Sequence, residues 1–255
     1  AASFDHTTHP KMLRTCGRLV ERLVPIVAGQ CSISSRLAVT LVHNLGLRGM
    51  ASLISRSDCC QAVYGLSRNA TTCRSFIATD NAVQTWIQRL FHQQQSNPSL
   101  LDSMMDTPSL QCLVIRAHVN FLQKIPFQYR MPLLQTTLQH LIAPLNISHM
   151  LQQVQHNTDA SRLLLQQTAQ YMKCLEICVR GATPSNNEGC VLLHQLYTSV
   201  VVPMSRLVQG NNQLTSGICG VICAMADVLS TAPVLMHESS PSLPSSSPGS
   251  TASSL

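Results

Sequence analysis

Apolar residues recur at helical spacing along almost the whole chain, and very little charge separates them. Only 11% of the 255 residues are Asp, Glu, Lys or Arg, against 45% hydrophobic, and an ordinary soluble domain carries roughly twice that charge. Uncharged polar residues must therefore cover the outer faces, as in Phe91-His-Gln-Gln-Gln-Ser96 and Leu151-Gln-Gln-Val-Gln-His156. No stretch alternates convincingly with period two and no Asn-Gly hairpin signal occurs, so the sequence predicts an all-α chain of neutral-surfaced helices stacked on one another.

The first helix is expected over 11–27, with Met12, Cys16, Leu19, Val20, Leu23 and Val27 on one stripe and Pro25 ending or bending it. Arg36–Ser55 repeats the pattern through Leu37, Leu41, Leu45 and Leu53, weakened by Gly46 and Gly49. Further helices are expected over Asp58–Arg68, from a Thr79-Asp80 cap to Gln94, from Thr107-Pro108 to Lys124, and over Pro132–Leu141, Ser148–Val154 and Asp159–Arg180. Ser185 and Glu188 stand at capping-box spacing before a helix that Pro203 kinks, and Leu214–Leu229 closes the series. The chain divides into a frayed N-terminus (1–10), one helical domain (11–236) and a Ser/Pro-rich tail (237–255). That tail holds too little apolar surface to offset its chain entropy and is expected to be disordered.

Within Cys60–Leu90, Ala62, Leu66, Asn69 and Ala70 form an alanine- and leucine-bearing helix that ends in a short Asn-Ala loop; Arg74, Ile77, Val83, Ile87 and Leu90 supply an Arg-x-x-Ile turn and the next helix. This segment resembles an armadillo-type repeat, and Leu113–Leu122 and Cys219–Leu229 echo its first part. The resemblance implies an armadillo/HEAT-like helical repeat, an α-solenoid, whose extended face binds a protein partner without catalysis. The odd cysteine count and the lack of a signal peptide give the expectation of an intracellular setting, nuclear or cytoplasmic; similar Cys/His/Gln-rich armadillo-like proteins of animals act in meiotic recombination initiation or as centrosomal scaffolds. The asparagine ladder of nuclear-transport armadillo proteins does not recur, so their peptide groove is not implied.

Charge is uneven. Residues 1–56 carry seven Lys/Arg (Lys11, Arg14, Arg18, Arg22, Arg36, Arg48 and Arg56) against two acids. The expected role is a solvated helix face; the alternative is a contact for an acidic protein or a nucleic-acid backbone through the basic N-terminal third. Arg14, Arg18, Arg22, Arg48 and Arg56 are the candidate partner contacts. Trp86 joins them as a hot spot if exposed, although core filling is its expected place.

Other chemistries find little support. Cys174 with Cys178, Cys219 with Cys223, and Cys190 with His194 each share a helix face, but zinc requires two such pairs to converge, so no metal and no cofactor is expected. Gly29-Gln30-Cys31-Ser32 lacks the surroundings of a thiol-protease site, and no nucleophile elbow, phosphate loop or His-Glu-x-x-His helix occurs; the chain reads as a non-enzyme. An odd count of eleven cysteines and an N-terminus without a signal peptide fit reduced thiols. Gly217–Ala226 is too short to cross a bilayer, so no membrane contact is expected, and the sequons at Asn69 and Asn146 read as accidental. The chain starts without Met and reads as a fragment, whose first apolar stripe would favour self-association.

Overall fold

The computed structural model describes residues 9–27, 35–78, 81–92, 99–145, 159–207 and 211–232, and every regular element among them is helical. The helices are α1 (Pro10–Val27), α2 (Ser35–Leu41), α3 (Arg56–Arg68), α4 (Ala70–Ile77), α5 (Ala82–Phe91), α6 (Pro108–Lys124), α7 (Phe127–Ile142), α8 (Asp159–Ala182), α9 (Asn187–Leu196), α10 (Val202–Ser205) and α11 (Asn212–Ser230). Two π-helical stretches extend this set: Val42–Gly49 continues α2, and Tyr197–Val201 joins α9 to α10. The tail, Cys31, the Thr79-Asp80 cap and the predicted helix Ser148–Val154 lie outside the described residues.

One layer is a row in which α1 packs on α3, α3 on α6, α6 on α8 and α8 on α11. From α3 onward these neighbours run parallel. Arg56 meets Asp106 and, further along, Asn120 donates to Ser67; Cys112 meets Cys174 and Gln123 donates to the Gly181 carbonyl; Met172 lies against Gly217 and Arg180 pairs with Asp227. Parallel neighbours need a return helix between them. α4 with α5, α7, and α9 with α10 take that place in the chain, and α7 runs antiparallel to α6, with Arg130 donating to the Gln123 and Ile125 carbonyls at the end of α6 while His118 meets Thr137 further back. A cation on those terminal carbonyls complements the negative end of the helix dipole.

The centre of the core is aromatic and polar at once. Trp86 has no exposed surface, and a Cβ on Gly46 would lie 2.6 Å from its ring. Phe121 meets that indole edge-on at 5.9 Å and Phe76 at 4.7 Å between centroids. Buried indole N–H groups require an acceptor, and Trp86 Nε1 donates to His118 Nδ1 at 3.2 Å. With Nδ1 accepting, the imidazole proton sits on Nε2 and is donated to Thr137 Oγ1 at 2.9 Å. Thr137 in turn donates to the Leu133 carbonyl at 2.8 Å. Side chains from α5, α6 and α7 are thus joined by one satisfied relay.

Several sequence expectations are corrected here. Gly46 and Gly49 do not merely weaken a helix: the chain widens to a π-helix there, and both glycines make room, for Trp86 and for Cys59 respectively. The Arg74 to Ile77 stretch, expected as a turn, is the second half of α4, whose start Asn69 caps by accepting from Thr72 N at 2.9 Å. α7 begins at Phe127 and keeps Pro132 inside it. The cap of α9 is Asn186, accepting from Gly189 N at 2.9 Å, and Ser185 instead meets Thr231. Before Pro203, which has no amide proton to give the preceding turn, the chain runs π-helically rather than simply kinking. The predicted stripe of α1 is divided: Leu13 and Gly17, with half-buried Cys16 and Val20, face the core, whereas Met12, Leu19 and Leu23 are exposed. The reason is the close approach at Gly17, where a Cβ would stand 3.1 Å from the Asp58 backbone.

Burial pushes the His118 imidazole down to about 3 from its ordinary 6.5, so the folded chain holds it neutral. An unfolded chain takes up that proton as the pH falls below about 6.5. Its contribution is complete above that pH and is lost toward pH 3, by at most about 1.4 kcal/mol per pH unit. Urea melts between pH 7 and 4 should show this loss, and His118→Gln should flatten the slope. An unchanged slope in the variant would contradict the assignment.

Candidate functional site

Where the return helices α4, α5 and α7 meet the end of α6, an apolar groove opens. Its walls come from the end of α4 (Ile77), the start of α5 (Val83) and the Ile125-Pro126 turn into α7 (Tyr129, Leu133), enclosing about 540 Å³. Arg74 and Lys124 are the charged residues lining it, both exposed, and Asn81 and Gln84 add polar edges. Tyr129 stands 61% exposed and Phe127 beside it 41%. Aromatic rings presented at a surface near cations suit recognition of a partner chain.

The geometry of the groove follows from local sequence. Pro126, extended at φ −52° and ψ 141°, ends the path from α6 and launches α7, so residues 127–129 occupy a first helical turn at the groove's rim. Opposite them, Asn81 adopts the left-handed conformation at φ 59°, a region that asparagine and glycine tolerate best. That single residue sets the direction in which α5 leaves the groove. Its backbone carbonyl then receives the Thr85 amide at 2.8 Å.

The residues singled out from the sequence lie elsewhere. Arg14 and Arg18 converge on Asp58, each with Nε 3.0 Å from a carboxylate oxygen. Arg56, at 5% exposure, donates to the Met50 carbonyl at 3.0 Å and lies 3.5 Å from Asp106. Arg48 is half-buried, whereas Arg22 is exposed. Neither Arg56 nor Trp86 presents a surface to a partner: Arg56 is held beneath the α2 to α3 connection, and Trp86 fills the core. The sequence reading missed Arg74, Lys124 and Tyr129, and the signal available was an aromatic pair directly after Ile-Pro at a helix start.

The thiols also separate. Cys174 and Cys178 are buried, Cys190 is half-buried, and Cys219 and Cys223 are exposed on α11. Burial raises the Cys59, Cys60, Cys73 and Cys178 thiols to about 12. Among the described residues no group of three or more His, Cys, Asp or Glu side chains gathers around a metal-sized site. Asn212–Ser230 is longer than the apolar stretch visible in the sequence, and by length and composition it could cross a bilayer. In this structure it packs on α8, where a Cβ on Gly217 would lie 3.0 Å from Met172. Comparison with protein-family models, curated proteins and solved structures finds no match to this chain.

The groove's edge can be tested through Asn81. Asn81→Ala should cost about 1 kcal/mol because a plain side chain is strained at positive φ, whereas Asn81→Gly should stay within about 0.5 kcal/mol of wild type. Equal destabilisation of both variants in chemical melts would place the constraint in the Asn81 side chain rather than in its backbone.

Proposed function

We propose that this chain is a non-enzymatic helical-repeat scaffold that takes a protein segment into the Ile77–Tyr129 groove. The parallel row α3, α6, α8 and α11 with intervening return helices supports the repeat reading, since stacked units expose an extended surface suited to partner binding. The groove is the observation that carries the reading. Its apolar walls call for aliphatic or aromatic anchors, and Arg74 and Lys124 at its edge call for carboxylates, so the partner segment is amphipathic and acidic.

The nucleic-acid alternative draws less support. Of the five candidate arginines, Arg14 and Arg18 share Asp58 and Arg56 is buried, which leaves no continuous basic stripe formed by that set.

A photo-crosslinking residue in place of Tyr129 should capture protein adducts in cells, and Arg74→Glu with Lys124→Glu should abolish them. The same residue in place of Tyr197, exposed on the π-helical stretch after α9, should capture few. Equal capture at both positions, or adducts insensitive to the charge reversal, would overturn the proposal. The captured partner would also decide between a meiotic and a centrosomal setting. Labelled duplex DNA at low salt supplies the opposing test, because steeply salt-dependent binding would favour the basic N-terminal third instead.

A further inference from the structure

A second cavity, of about 460 Å³, opens between the start of α6, the middle of α8 and the start of α11. Gln170, Lys173, Asn212, Gln213 and Ser216 are among its lining residues, around one thiol, Cys112. Behind that thiol, within hydrogen-bonding reach on α8, is buried Cys174. A cavity that ends in one accessible thiol with a second thiol behind it has the parts of a redox site.

We propose that Cys112 is a hydroperoxide-reactive thiol, resolved by Cys174 into a disulfide that ties α6 to α8. In the first step the Cys112 thiolate attacks one oxygen of hydrogen peroxide. The O–O bond breaks, a sulfenic acid forms and hydroxide leaves; sulfur loses two electrons and the peroxide gains them. In the second step the Cys174 sulfur attacks the Cys112 sulfur, the S–O bond breaks, and the departing hydroxide takes the Cys174 proton to give water.

The electrostatics agree with this division of labour. A hydrogen bond from Cys174 brings the Cys112 thiol below its ordinary value, with Arg116 and Lys173 assisting and burial and Glu176 opposing. The same hydrogen bond, with burial and the neighbouring Cys112 and Cys178, raises the Cys174 thiol, so it stays protonated until it resolves the sulfenic acid. Glu176 does not act alone, because Lys173 lies 2.5 Å from it and Arg180 3.6 Å. Tyr171, on the same helix, is engaged by Asp102 and held protonated by burial and that carboxylate.

The test uses the full reduced chain. At pH 7 Cys112 should alkylate several-fold faster than an ordinary thiol, with its half-maximal rate displaced to lower pH. Limiting hydrogen peroxide should then yield a Cys112–Cys174 linkage in peptide maps made without reductant. Cys174→Ser keeps a hydrogen-bond donor but cannot resolve, so a dimedone adduct should accumulate on Cys112; Cys174→Ala should also shift the alkylation profile to higher pH. Cys178→Ser should change neither readout. Oxidation of exposed Cys219 and Cys223 ahead of Cys112, or a wild-type peptide map without the Cys112–Cys174 linkage, would overturn the proposal whether or not the variants fold.

Discussion

The hydrogen-bond relay from Trp86 through His118 and Thr137 to the Leu133 carbonyl is the interaction on which this architecture rests. Trp86, His118 and Thr137 are all buried, and a buried polar group without a partner costs about 1–3 kcal/mol. The relay is satisfied only when α5, α6 and α7 sit in one relative register, so it selects a single packing among the many that apolar contacts alone would tolerate. Phe76 and Phe121 fill the space around it. The groove lies on the same three helices and on α4, and Leu133, whose carbonyl ends the relay, also lines the groove. Fixing the core therefore fixes the proposed binding surface.

Low charge has a second structural consequence. With few long charged side chains to splay neighbours apart, the helices of the first layer approach closely at small residues, at Gly17 against α3 and at Gly217 against α8. The charges that remain bridge adjacent elements: Asp58 binds Arg14 and Arg18 from α1, and Asp227 on α11 meets Arg180 on α8. These partly exposed pairs contribute little energy individually. Their effect is to orient neighbours whose hydrophobic faces would otherwise slide.

Helices with strong local signals were legible in the sequence. Pro108 in the first turn marked the start of α6, although Thr107 before it donates to the Met104 carbonyl and caps nothing, and the long apolar period marked α8, because these signals act within one segment. The resemblance to armadillo repeats pointed to stacked helices, and the all-helical class is what the structure shows. What escaped notice depended on distant residues. Gly46 reads as a helix breaker until Trp86 is seen above it, and α1 rotates because of Asp58, more than thirty positions later in the chain. The groove was illegible for the same reason: Arg74, Asn81, Lys124 and Tyr129 form no local pattern. Arginine enrichment near the N-terminus was conspicuous, yet part of that charge meets the protein's own acids and carbonyls.

The central claim, that one neutral histidine locks three helices into register, is open to direct measurement. Long-range proton–nitrogen correlation spectra of uniformly nitrogen-labelled chain, with the His118 ring assigned by its absence in His118→Gln, report which ring nitrogen carries the proton. The account predicts a fixed Nε2–H tautomer for His118 at pH 7 that persists unchanged to pH 5, since burial holds its imidazole near 3. Ring nitrogens that average between tautomers and titrate near 6.5 would show that the relay does not exist in the folded protein.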